Sequence, residues 1–220
     1  MPVLSQAIQD YLKVTYKIRQ REGTVSTSVL AQQMGVSPAS ATNMVKRLAR
    51  LHLVTHAPYR TVELTADGEK AALEIIRHHR LLELFLREHL GLSLDQVHDE
   101  AEELEHVLSE AVESRIAAML GDPTADPHGD PIPSKAGALA EPEHPRLVDL
   151  RPGAGGRIAR VSDEDPHLLR RLAVLGLVPG VGVRILQRQR HGALALLTDG
   201  RRRRISAALA RAVFVAPVPD

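Results

Sequence analysis

The 220-residue chain has no cysteine and no tryptophan, and only two Phe and three Tyr. Without thiols there can be no disulfide, no thiolate metal ligand and no cysteine nucleophile. With so few aromatics, the core must be built from Leu, Val, Ile and Ala. No apolar run approaches the ~18 residues of a membrane span, and no charged-then-apolar leader opens the chain. A cytoplasmic protein without membrane contact is expected. Charge of one sign is also missing, in two places. From Gly23 to Val62 there is no acid, while Lys46, Arg47, Arg50 and Arg60 are present. From Asp95 to Glu113 there are eight acids and no Lys or Arg. The net charge of +1 creates no global field. The first stretch therefore suits phosphate and the second a cation.

The densest chemistry lies in the second stretch, at HDEAEELEH, residues 98–106. His98, Glu102, Glu105 and His106 recur at intervals of three and four. On one helix they would share a ~100° arc. His79 and Glu83 stand one helical turn apart upstream. Imidazole and carboxylate together on adjoining helices suit a divalent transition metal. His98 and His106 would lie ~12 Å apart along an axis, which suits two separate ions. A solvated acidic face could show the same spacing, but Leu104, Val107 and Leu108 demand a buried side nearby. His52, His56, His89, His128 and His191 read as surface or packing residues.

Helical periodicity runs over 5–22, then over a short helix at 29–34 stopped by Gly35. Ser37 caps the next helix, with Pro38 at its first position. Leu53-Val54 and Val62–Leu64 read as two short strands. A long helix over 66–90 ends at Gly91, and another is expected from Ser93 or Leu94 to about Leu120. Gly121 to Pro145 holds six of the fourteen prolines and reads as an irregular connector without a core of its own. Beyond it come short β-like runs at 156–161, 181–187, 193–197, 203–206 and 212–216, with a helix at 168–175. Asp199-Gly200 marks a hairpin turn. The Arg201–Arg204 run after it reads as a charged strand edge that discourages edge pairing.

Two short helices joined at Gly35 and followed by a hairpin make a winged helix-turn-helix. The second helix would enter the major groove. Its leading residues Ser37, Pro38, Ala39, Ser40, Thr42 and Asn43 are small or polar and allow close approach to base edges. Asn43 can read adenine. Lys46, Arg47, Arg50 and, in the wing, Arg60 would hold phosphates. A plain three-helix module with a solvated basic face is the alternative, and the missing acids weigh against it, because ordinary solvated helices mix signs.

The chain resembles the diphtheria toxin repressor family of metal-dependent transcriptional regulators, in its manganese-responsive branch. The likeness runs from about Ser5 to Pro133, in QDYLKVTYKI, VSPASATNMVKRLARLHLV, HHRLLELFL and VHDEAEELEHVLSE. The tail, from LRPGAGGRIARV to AVFVAP, is similar to the SH3-like domain of longer members and of ferrous-iron transport proteins. The resemblance implies an α+β fold. Residues 1–65 would form the winged helix-turn-helix, 66–133 a helical metal-binding and dimerisation domain, 134–146 a linker and 147–220 a small SH3-like β-barrel. It implies two Mn²⁺ or Fe²⁺ sites per chain. The regulatory site would use Asp10, Glu102, Glu105 and His106, and the ancillary site His79, Glu83 and His98. Asp163 is the nearest counterpart of the ligands that iron-responsive members draw from the SH3-like domain; the other position there falls on Arg160, which cannot ligate a cation.

Iron-type members carry Cys where Glu102 stands and Met where Asp10 stands, so the oxygen donors here favour Mn²⁺ or Fe²⁺ over softer ions. Lys13 stands where manganese-type members place an acid. An ammonium has no lone pair and repels a cation, so separated sites are expected. The function expected is a metal-loaded homodimer binding a palindromic double-stranded operator, a repressor of metal-uptake genes. Its dimer face is expected from Leu81, Leu82, Leu84, Phe85, Leu104, Val107, Leu108 and Val112. The alternative is a metal-dependent hydrolase or a di-iron carboxylate enzyme. Against it, no second Glu-x-x-His motif, nucleophile or oxyanion loop is visible.

Overall fold

The structure, a computed structural model, describes residues 4–56, 61–140, 142–163 and 165–217. The chain divides into two compact units, one of residues 1–79 with 105–108 and 133–139, the other of 80–104, 109–132 and 140–220.

In the first unit, helix α1 (Gln6–Glu22) turns Ile8, Tyr11, Leu12, Tyr16 and Ile18 inward, the stripe expected of a 3.6-residue period. Helix α2 (Thr27–Gln33) is capped by Ser26, whose hydroxyl accepts the Val29 N–H. Helix α3 (Pro38–Arg50) is capped by Ser37, whose hydroxyl accepts the Ser40 N–H, and it buries Ala41, Val45 and Leu48. Strands β1 (Val54–His56) and β2 (Val62–Leu64) pair antiparallel, with Val54 opposite Leu64. The turn between them, with Arg60, lies outside the described residues.

Helix α4 (Ala66–Leu90) starts hard against this wing. The Thr65 hydroxyl donates to the His52 carbonyl at 2.7 Å and accepts the Gly68 N–H at 3.1 Å. A Cβ on Gly68 would lie 1.8 Å from the Leu53 carbonyl oxygen, so the contact requires glycine. Arg19 clasps Glu69 through two nitrogens at 2.6 and 3.1 Å, joining α1 to α4. The core runs through all these elements, from Ile8 to Ile76.

In the second unit the expected single helix to Leu120 is two, α5 (Val97–Leu104) and α6 (Glu110–Met119). The Ser109 hydroxyl accepts the Val112 N–H and starts α6 afresh. The β part is a five-stranded antiparallel sheet, ordered β6-β5-β4-β3-β7. Its strands are β3 (Gly155–Val161), β4 (Gly182–Arg188), β5 (Leu194–Thr198), β6 (Arg201–Ile205) and β7 (Val213–Pro217). Asp199 and Gly200 both take positive φ, 47° and 70°, as a tight β5–β6 hairpin requires. Helix α7 (Pro166–Val174) and a short helix the sequence did not suggest, α8 (Ala207–Arg211), contribute Leu169, Leu172 and Leu209 to the sheet's core.

Two expectations fail here. Leu81 and Leu82 are buried within this chain and are not available to a partner. The connector 121–145 is not coreless: Asp126, His128, Ile132 and Pro133 are buried, and of the two roles expected for His128, surface or packing, it takes packing. No helix among the described residues is long and apolar enough to cross a membrane.

Candidate metal centre and nucleic-acid interface

In the first unit, α1 brings Gln9, Asp10 and Lys13 to the turn that follows α5, at Glu105 and His106. Glu105 and His106 are therefore placed by a turn, not by the helical arc expected from their spacing. His106 Nε2 lies 3.0 Å from Asp10 Oδ1 and 3.4 Å from Glu105 Oε1. One ligand atom from each of Asp10, Glu105 and His106 falls within a 4.8 Å cluster. His106 Nδ1 is 2.7 Å from the Gln9 amide oxygen. An amide oxygen only accepts, so Nδ1 donates to it, and Nε2 would offer its lone pair to an ion bound between the two carboxylates. Metal-ligating imidazoles are oriented in the same way by the bond at their other nitrogen. The set of two carboxylates and one imidazole fits Mn²⁺ or Fe²⁺.

Glu105 is the hub. Its carboxylate is buried, with Lys13 Nζ 2.5 Å from Oε1 and His79 Nδ1 2.6 Å from Oε2. His79 thereby donates from Nδ1 and keeps Nε2 for a cation. His78 places Nδ1 3.2 Å from the Glu105 carbonyl. Lys13 was expected to repel a cation; it does more, because it already neutralises the carboxylate that a cation would use.

In the second unit, Glu83 from α4 and His98 from α5 meet, Oε1 to Nδ1, at 3.2 Å. His98 Nε2 is 3.8 Å from Glu102. Beyond Glu83 lies a buried group that sequence reasoning missed. His128 Nδ1 is 3.5 Å from Glu83 Oε2, and Asp126 and Asp130 face Arg80 at 3.8 and 3.6 Å. Burial, with the charges of Glu83 and Asp130, pushes the Asp126 carboxyl well above its ordinary range. Burial likewise raises Asp130, against the pull of Arg80. Burial pulls the His128 imidazole down, but Glu83, Asp126 and Asp163 outweigh it and leave it at about 9. Asp163 is half-buried and acts on His128 and Asp130 through its charge. It joins none of the ligand clusters among the described residues. Arg160 pairs with Asp130 at 3.2 Å and lies over the Phe214 ring at 3.8 Å.

The residues around α3 that the sequence suggests for DNA contact are mostly exposed. Ser37, Pro38, Ala39, Ser40, Asn43, Lys46, Arg47 and Arg50 are exposed on or beside α3. Thr42 is half-buried and donates its hydroxyl to the Pro38 carbonyl at 2.8 Å, so only its acceptor capacity is left for a base. Ser37 and Ser40 share a hydrogen bond at 2.9 Å.

Three family descriptions cover most of the chain. Residues 3–62 match the iron dependent repressor N-terminal DNA binding domain, 65–134 the iron dependent repressor metal binding and dimerisation domain, and 146–217 the FeoA domain. The diphtheria toxin repressor of Corynebacterium efficiens is 32% identical over 99% of this chain and 98% of its own length. The iron-dependent repressor IdeR of Mycobacterium tuberculosis is 33% identical over 84% of this chain and 86% of its own. Among solved structures, a manganese-dependent transcriptional repressor in complex with manganese superimposes with a TM-score of 0.87. It is 40% identical over 96% of this chain and all of its own. The manganese regulator SloR gives 0.75 at 30% identity, over 96% and 98%. These are repressors rather than enzymes, which disposes of the hydrolase alternative. The chain belongs to the diphtheria toxin repressor family of metal-dependent, DNA-binding transcriptional regulators.

Proposed function

We propose that this protein is a Mn²⁺- or Fe²⁺-dependent repressor of metal-uptake genes, acting in the cytoplasm as a homodimer on a palindromic operator. The observation that carries this is the Asp10–Glu105–His106 cluster. Asp10 belongs to α1, part of the hydrophobic core that also carries recognition helix α3, whereas Glu105 and His106 arrive from beyond α5. Ligands from both sources fix α1, and with it α3, in one orientation. Glu102, on the last turn of α5, is the proposed fourth ligand. A bound ion would take the place of Lys13 as the positive charge on Glu105 and extend it to Asp10.

The ancillary site is proposed on Glu83 and His98, with His79 one helical turn before Glu83. Oxygen donors at Asp10 and Glu102 favour Mn²⁺ or Fe²⁺. Asp163 has support only as a charge near His128, not as a ligand. For the dimer, Leu90, Leu104, Val112 and Met119 are exposed in the second unit and suit a self-complementary apolar face. Two-fold symmetry then requires matching half-sites.

Linkage demands that DNA tighten metal binding by the factor with which metal tightens DNA binding. The test is calorimetric titration with Mn²⁺, alone and with a duplex selected from random sequence by the Mn²⁺-treated protein. Tighter binding with the duplex is expected, and equal affinities would sink the coupling.

A further inference from the structure

Residues 126–130, within the stretch that reads as a connector, are built like part of a site. Asp126 Oδ1 accepts the backbone N–H of His128 at 2.8 Å and of Asp130 at 2.9 Å, a turn closed by a side chain. Gly129 has φ +90°, and a Cβ there would lie 2.0 Å from the Ala159 carbonyl oxygen. The His128 carbonyl accepts the Val161 N–H at 2.9 Å. The turn is thus clamped onto β3 by backbone contacts that leave no room for a side chain.

The clamp aims one imidazole. His128 is 0% exposed and Glu83 1%. His128 Nε2 lies 3.1 Å from the Leu94 carbonyl. A carbonyl only accepts, so Nε2 carries a proton and the ring cannot flip without losing that bond. Nδ1 is consequently fixed facing Glu83 Oε2 at 3.5 Å, while Glu83 Oε1 faces His98 at 3.2 Å. Both oxygens of one buried carboxylate are flanked by imidazoles. Glu83, Asp126 and His128 could themselves be taken for a metal cluster, since their ligand atoms fall within 4.8 Å of one another. Arg80 argues against that. Its guanidinium lies 3.8 Å from Asp126 and 3.6 Å from Asp130, and it donates to the Pro131 carbonyl. An ion there would have to displace a guanidinium that faces Asp126, Asp130 and the Pro131 carbonyl at once.

We propose that His128 is a positioning residue for the metal ligand Glu83: it holds Oε2, so that Oε1 stays turned to the ion shared with His98. This rests on the ancillary site proposed above. It also makes the 126–130 turn a strut through which β3 of the SH3-like domain sets the shape of that site. Outer groups that orient a ligand change metal affinity by about 10- to 100-fold when removed.

The test uses the full chain and Mn²⁺, with affinities by calorimetry, ions per chain by elemental analysis, and thermal unfolding of the metal-free protein. His128→Gln keeps a nitrogen near the Nε2 position, for Leu94, and removes the one facing Glu83. His128→Asn does the reverse. Glu83→Gln marks which ion is the ancillary one. His128→Gln is expected to weaken that ion's binding by about 10- to 100-fold and leave the other unchanged. His128→Asn is expected to retain most of the affinity, with both variants unfolding at similar temperatures. Parent-like Mn²⁺ binding by His128→Gln overturns the proposal, as does loss in both variants in step with their thermal stability. If Glu83→Gln removes an ion and His128→Gln does not weaken it, His128 alone has been misread. If Glu83→Gln removes none, the ancillary site falls and this inference with it.

Discussion

Replacing Lys13 by Leu gives a sharp test of how the regulatory cluster works. Lys13 Nζ sits 2.5 Å from Glu105 Oε1, with side-chain exposures of 5% and 0%. Removing one member of a buried pair costs about 3–5 kcal/mol, because the other charge is left enclosed. Glu105 would still hold His79 at 2.6 Å and His106 at 3.4 Å, which lowers the expected loss to roughly 2–3 kcal/mol. A cation that takes Glu105 Oε1 must first displace the ammonium. In the variant nothing needs displacing, so the loss falls on the metal-free state alone and reappears as affinity. At 1.4 kcal/mol per tenfold, Mn²⁺ should bind about 30- to 150-fold more tightly. Leu is chosen because it offers no ligand atom. Calorimetry gives the affinity; thermal unfolding should show the metal-free protein destabilised and the Mn²⁺-loaded protein close to the parent. Equal destabilisation of both forms with unchanged Mn²⁺ affinity would refute the reasoning. It would mean that Lys13 keeps Glu105 while metal is bound.

Gly68→Ala places a methyl 1.8 Å from the Leu53 carbonyl oxygen. The overpacking should cost about 1–3 kcal/mol in denaturant unfolding despite the gain in helix propensity, and a stabilised variant would contradict the geometry. Arg47→Ala should weaken binding to all duplexes alike and shallow the salt dependence, whereas Asn43→Ala should relax sequence preference. Mobility shifts on selected and random duplexes separate the two, and a loss confined to the selected duplex for Arg47→Ala would reverse the assignment. Glu102→Cys should move metal preference toward softer ions; an unchanged ratio of Zn²⁺ to Mn²⁺ affinity would count against Glu102 as a ligand. Arg170 first, and then the Ser93 hydroxyl, hold the Asp95 carboxyl below its ordinary 3.8. A depressed folded-state value means that the contribution is present above pH ~4 and disappears as pH falls through the depressed value. For so exposed a pair it should stay under about 1 kcal/mol. A double-mutant cycle with Asp95→Asn and Arg170→Gln checks this, and coupling that grows on acidification would be the wrong sign.

What could be read in the sequence was what local chemistry decides. Ser37-Pro38 announces the start of α3, Asp199-Gly200 announces the β5–β6 turn, and the period of Ile8, Leu12 and Ile18 gives the buried face of α1. The α5–α6 break was hidden because residues 104–109, LEHVLS, contain neither Gly nor Pro. Only Ser109, as a cap, hints at it. The acidic and histidine ligands stood out by type and spacing, but Gln9 carries no charge, and its role emerges only when α1 meets His106. The largest misreading was of 121–145. Its prolines and glycines resemble a linker, yet Gly129 is needed by a carbonyl thirty residues away on β3. Asp126 and His128 are buried by partners that no window along the chain contains.

Glu105 has one oxygen beside His106 and Lys13 and the other on His79. A carboxylate so placed cannot be tugged at one end without disturbing what leans on the other. In the function proposed here, the two ions would not fill as strangers. Filling one seat therefore changes the other, so the second ion would bind with an affinity different from the one it would have alone.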